Sequence, residues 1–293
     1  MTNYSRHLGA AALISLLAAC GGGGDGPRTV FNYQTFDSTV PGQSRVAAVG
    51  LTRSDPDPDG PADGTEVVLG TLDRAPQTLT VTVDNAGAIT GIYDPNTEIW
   101  TDAGGAKVYA NTALTGNFQF TLPVIIEDSD GLNNTYVLGV IARTQDLPST
   151  AGTTTYSGSA IVNGIFSSDG IEPPTKFDSS GDLDLEVSFS TDHVKAIISA
   201  LSGMPFDSIE LTDLQISSGA DATFAFDAGS IITFRSGGGT VTPAIGAYTT
   251  SANGAFFGGD QNGPVEAGGA FAVDGQTGNI YGIFAADERV NTP

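Results

Sequence analysis

The chain has 293 residues with 33 acidic side chains against 11 Lys and Arg, a formal net charge of −22. So acidic a surface repels nucleic acid and anionic lipid headgroups and excludes binding to either through a basic patch. The length suffices for one large or two modest domains with real cores, and the single cysteine rules out a disulfide framework or a cysteine-based metal site.

That cysteine, Cys20, sits behind Leu17-Ala18-Ala19 and an apolar run from Leu8 to Leu17, with Arg6 and His7 before it. The charged start, short apolar stretch and small residues are the three parts of a secretory signal, and the run is too short to span a bilayer. The pattern resembles a bacterial lipoprotein signal. The resemblance implies removal of residues 1–19, acylation of Cys20 on its sulfur and new amino group with palmitate-like chains, and anchoring by two or three chains at roughly 0.8 kcal/mol per buried methylene. Residues 20–27, with Gly21 to Gly24, form a glycine-rich tether that cannot pack. Gly21 stands where inner-membrane retention commonly uses aspartate, which implies the cell outer membrane.

The body begins near Arg28. Asp55, Asp57 and Asp59 precede Gly60, and five residues later comes Glu66, the spacing D-x-D-x-D-G-x5-E of a calcium loop. Prolines at 56, 58 and 61 stiffen it away from the usual loop conformation, and strand patterns flank it, so a solvated acidic loop competes with Ca2+ binding. Thr78 to Val83 alternates with period two, Asp84 to Gly87 supplies turn residues, and Ala88 to Tyr93 resumes the pattern: a hairpin. Trp100, the only tryptophan, would anchor an interface if exposed and is a covered residue otherwise. Asn117 to Ile126 and Asn134 to Arg143 pair across the acidic turn Glu127 to Gly131.

Asp146 to Gly152 carries Pro and Gly between two β regions and reads as the domain boundary, giving a β-rich domain over 28–145 and a second domain over 146–293. Strand patterns follow at Thr155 to Phe166, Asp182 to Phe189, His193 to Ile198, Ile209 to Ser217, Ala222 to Phe226 and Ile231 to Phe234. The last are Gly254 to Phe257, Ala267 to Val273 and Asn279 to Ala285. Val194 to Leu201 reads equally as a short helix or as strand and turn. Short strands separated by Gly, Asp and Ser clusters argue for an all-β, antiparallel sandwich or barrel, and the eight or nine strands of the second domain are the number that closes a small barrel.

Catalytic chemistry finds no motif. His193 is the only histidine after the signal, and Asp192 and Lys195 beside it form no triad or metal-water arrangement. Ser157 lacks the spacing of a nucleophile elbow and reads as a strand residue. Gly237 to Thr240 has no lysine after it and reads as a hairpin turn rather than a phosphate loop.

The run from Leu147 to Gly158, with Gly254-Ala255-Phe256-Phe257-Gly258, Glu266 to Phe271 and Gly282-Ile283-Phe284-Ala285, resembles the barrel domain of transferrin-binding protein B-like surface lipoproteins. The family pattern is roughly G-x-F-[FY]-G-P, a short helix carrying A-x-E, then a G-G-x-F strand. Gly259 here replaces the proline, and Asp260 to Pro264 departs from the helical piece. The likeness covers about 146–287, with 28–145 in the position of the family's handle. It implies an all-β fold, an eight-stranded antiparallel β-barrel preceded by a β-rich, handle-like domain, in a lipid-anchored binding lipoprotein that is surface-exposed or periplasm-facing. Its partner would be an unknown protein or small solute, with an outer-membrane transporter as a further candidate. The alternative is a structural or protective envelope lipoprotein without a discrete ligand. Only the lipidation role of Cys20 carries over residue by residue.

Overall fold

Alternating patterns in both halves become rings of antiparallel strands. The computed structural model describes residues 33, 35, 44–52, 64–73, 78–83, 87–94, 97, 99–116, 118–127, 133–149, 152–167, 173–260 and 263–288. In the first half, β1 (Ser44–Thr52), β2 (Gly64–Asp73), β3 (Thr78–Val83), β4 (Gly87–Asp94), β5 (Ile99–Thr101), β6 (Lys107–Ala110), β7 (Thr121–Glu127) and β8 (Asn133–Val140) pair in chain order. β8 returns to β1 with Val46 opposite Val140, so the handle-like half is itself a closed eight-stranded barrel.

The second half holds β9 (Thr154–Phe166), β10 (Thr175–Ser188), β11 (His193–Ser199), β12 (Ser208–Ile216), β13 (Thr223–Ala225), β14 (Ile231–Ser236), β15 (Gly239–Val241), β16 (Tyr248–Phe257), β17 (Glu266–Gly275) and β18 (Gly278–Glu288). The sheet order is β11-β10-β9-β18-β17-β16-β13-β12-β14-β15, and β11 also pairs β12. That pairing joins eight strands into a closed circuit, from which the β14–β15 hairpin branches beside β13. The fold is all-β, as its patterning requires; among the described residues the helical content is one 3-10 turn, Thr144–Asp146.

The hairpin at 78–94 and most strands of the second half lie where alternation places them, but β10 begins at Thr175 rather than Asp182 and β16 at Tyr248 rather than Gly254. Val194 to Leu201 resolves as strand and turn: Val194, Ala196 and Ile198 alternate into the core from β11, which ends at Ser199, and Ala200 follows with φ of 59°. Gly237 and Gly238 turn with φ of 58° and 81° between β14 and β15, a conformation that favours glycine. β1, β2, β5, β6 and β15 go beyond what alternation marked. The strand pattern over Asn117 to Ile126 begins later, at Thr121. β8 ends at Val140, earlier than Arg143, because the chain there leaves its own barrel: Ile141 bridges Phe257 and Arg143 bridges Asp221.

Rings fill the second barrel. Phe256 lies 5.1 Å from Phe224, 5.3 Å from Phe189 and 6.2 Å from Tyr156, ring centre to ring centre. Phe206 packs on Phe234 at 5.0 Å and Phe166 stacks on Phe177 at 4.6 Å. Phe257, Phe271, Tyr281 and Phe284 are buried too. Burying each such ring contributes on the order of 1.5–3 kcal/mol.

The outer faces of β16, β17 and β18 are covered as well. Glu266 through Val273 is an unbroken buried run, as is Ile280 through Ala286. Ala255, Phe257, Ile283 and Ala285 form one apolar cluster with Ala47, Val49, Val137 and Ile141 of the first half. Close approach explains the glycines: a Cβ on Gly139 would lie 2.2 Å from the Phe257 ring, and one on Gly268 would lie 2.7 Å from Val137. Two-sided burial gives a continuous run of small and apolar residues rather than alternation. The barrels share a packed wall.

Candidate functional site: the junction between the barrels

Polar groups pin that wall. Glu266 opens β17 as the one acid in the run Val265-Glu266-Ala267-Gly268-Gly269, and its residue is only 2% exposed. Its carboxylate accepts the Gln119 N–H at 2.5 Å, the Phe120 N–H at 3.1 Å and the Thr121 hydroxyl at 2.8 Å. A buried carboxylate needs such donors. Burial still pushes its carboxyl above the usual carboxylate range, against the lowering by these hydrogen bonds.

Where the chain crosses between the halves, the Tyr33 hydroxyl donates to Asp146 at 2.6 Å and accepts the Arg143 N–H at 2.8 Å. Burial and the Asp146 carboxylate together push Tyr33 up to about 12. Arg143 binds Asp146 through two nitrogens, at 2.7 and 3.0 Å. Arg45 of β1 reaches Asp221 at 2.8 Å, and the Asn253 side chain donates to the Thr65 carbonyl at 3.1 Å.

Above these contacts lies a groove of about 480 Å³ between the two barrels. Val67 of β2 lines one side; Gln215, Asp221, Phe226 and Asp227 line the other, with Asn253 beside them. Asp227 is exposed and caps its own turn, accepting from the Gly229 N–H at 2.7 Å. The groove is open and mixes apolar and carboxylate walls, a surface that suits an extended segment better than an enclosed small molecule.

Cys20, the signal and tether, and Asp55, Asp57 and Asp59 all lie outside the described residues. Glu66, the fourth acid of the calcium spacing, sits half-buried on β2 and takes a short hydrogen bond from the Tyr136 hydroxyl, so that carboxylate is already engaged. Among the described residues, no group of three His, Cys, Asp or Glu is placed to hold a metal ion. His193 is exposed at the start of β11, its Nδ1 2.7 Å from the Gln215 side chain. Ser157 is a β9 residue, and Trp100 is a buried residue of β5, 7% exposed. Sequence reasoning missed the role of Glu266. The available signal was an acid heading a strand whose neighbours on both faces are small or apolar.

No protein-family model matches the chain, and no curated protein matches it. Solved structures similar to it include a mutant of transferrin-binding protein B from Haemophilus parasuis, at 11% identity and a TM-score of 0.47, covering 85% of this chain and 45% of that one. HpuA from Kingella denitrificans in complex with human haemoglobin is similar at 15% identity and a TM-score of 0.39, covering 89% and 93%. A structure described as a surface lipoprotein is similar at 14% identity and a TM-score of 0.41, covering 85% and 100%. The chain spans less than half the length of the two transferrin-binding protein B mutant chains, 45% and 46%.

Proposed function

We propose that this protein is an outer-membrane lipoprotein, anchored through acylated Cys20 and displayed at the cell surface, which holds a protein partner and performs no catalysis. The observation that carries this reading is the pair of barrels fused across a buried apolar wall, the second filled by aromatic rings. A filled interior leaves loops and the junction as the surfaces that can bind, and those suit a macromolecule more than an enclosed solute. The Leu17-Ala18-Ala19-Cys20 signal and the glycine tether support the anchor.

A structural envelope role without a ligand is the second reading, and the filled interior is the observation that favours it. The acidic loop from Asp55 to Glu66 belongs to either reading as a solvated loop rather than a calcium site, since the Glu66 carboxylate already takes the Tyr136 hydroxyl. The test of display is protease shaving of intact against lysed cells, with Cys20→Ala as the anchoring control. Removal of the protein from intact cells is the expected result. Protection until lysis would overturn surface display and turn the search to periplasmic partners or to the structural role.

A further inference from the structure

β2 has an open edge where it meets the groove. The Ile141 N–H donates to the Arg45 carbonyl at 3.2 Å, so odd-numbered residues of β1 turn their main-chain groups toward β8 and even-numbered ones toward β2. The β2 partners of those even residues are Gly64, Glu66, Val68 and Gly70, which leaves Thr65, Val67 and Leu69 facing away from β1. β3 pairs with β2 only from Thr71 to Asp73. The Thr65 carbonyl takes the Asn253 amide, which agrees with this direction. The N–H and C=O of Val67 therefore have no ladder partner among the described residues, and Val67 lines the groove.

Unpaired ladder groups at an edge are a template for one more strand. The facing wall supplies what such a strand's side chains would meet: half-buried Phe226, with exposed Asp227 and half-buried Asp221 beside it. Arg45, which reaches this wall from β1, is engaged by Asp221 at 2.8 Å. With a chain charge of −22, the complement is basic.

We infer that the groove takes an extended, Lys- or Arg-bearing segment of a protein partner, which adds to the β2 edge at Val67, sets an apolar side chain on Phe226 and places a cation by Asp227. This rests on the protein-binding reading above and gives it an address.

The probe is a fluorescein-labelled acetyl-(Val-Lys)4-amide, titrated with the purified body and followed by fluorescence anisotropy. The comparison probe is the same peptide N-methylated at every residue, which keeps its charge and loses the strand donors of both edges. Saturable binding is expected, weakened about tenfold or more, roughly one close charge pair or lost ladder, both by N-methylation and by Asp227→Lys. Asp182→Lys, on β10 and outside the groove, makes the same charge change and is expected to leave binding unchanged; melting curves of both variants confirm that they are folded. Absence of saturable binding, equal binding of the N-methylated peptide, or equal weakening by both variants would overturn the assignment. A protein that is shaved from intact cells yet fails this titration keeps its display and loses only the groove; one protected until lysis fails the display reading whatever the peptide does.

Discussion

The two barrels have eight strands each in their closed circuits, yet they are built differently. The second has strands of 13 and 14 residues in β9 and β10 and an interior of stacked rings. The first closes through β5 and β6, three and four residues long, over a core of aliphatics such as Val108, Val124 and Ile126 with Tyr136 and Trp100. Long ladders and aromatic filling stabilise the second barrel from within, whereas the first leans on the wall they share. Its β1 and β8 bury Ala47, Val49 and Val137 against Phe257, Ile283 and Ala285. The unequal barrels behave as one body because the weaker one spends part of its core on the stronger.

Truncating the ring at the centre of the second barrel should have the largest effect. Phe256→Ala removes a fully buried side chain that touches three other rings and is expected to cost about 3–5 kcal/mol in urea unfolding. Next comes the pin between the barrels. Glu266→Ala leaves the Gln119 and Phe120 N–H groups and the Thr121 hydroxyl buried without their acceptor, an expected loss on the order of 2–4 kcal/mol; Glu266→Gln, which keeps one acceptor oxygen, should lose less.

The same residue sets a pH signature. Its carboxyl is raised by burial in the folded protein, so just above the ordinary value of 4.5 the folded state holds a proton that the unfolded chain has released. Stability from this group is therefore present at low pH and falls as pH rises through that window. Urea midpoints measured across it should decline less steeply in Glu266→Gln.

Arg45→Ala breaks a junction ion pair whose arginine side chain is 55% exposed, and is expected to cost less than about 1 kcal/mol. A loss as large as that of Glu266→Ala would mean that charge rather than buried acceptors joins the barrels. Smallest of all, calcium is expected to leave the melting temperature unchanged, since Glu66 is held by Tyr136. A clear rise would show that Glu66 lets go to close the loop.

Most of the second barrel was legible because its strands face core on one side and water on the other. β11 and β12 alternate in burial as they do in polarity. The first barrel was legible only at the hairpin 78–94 and at the strand pair 121–140, where alternation survives beside turn residues. β1, Ser44–Thr52, is buried from Val46 through Leu51 on both faces, so its run Val46-Ala47-Ala48-Val49-Gly50-Leu51 carries no period. β5 and β6 are too short for any pattern to build. The junction was not legible at all: Glu266 and its donors at 119–121 lie more than 140 residues apart in the chain, and no local signal pairs them.

The claim that the barrels form one body is tested most directly by urea unfolding followed with two probes. Trp100, the only tryptophan, is buried in β5 and reports on the first barrel alone, while far-UV circular dichroism reports the strands of both. Coincident transitions are the predicted result. Loss of the tryptophan signal at a lower urea concentration than the loss of strand signal would show that the first barrel opens while the second stands, and would contradict the account.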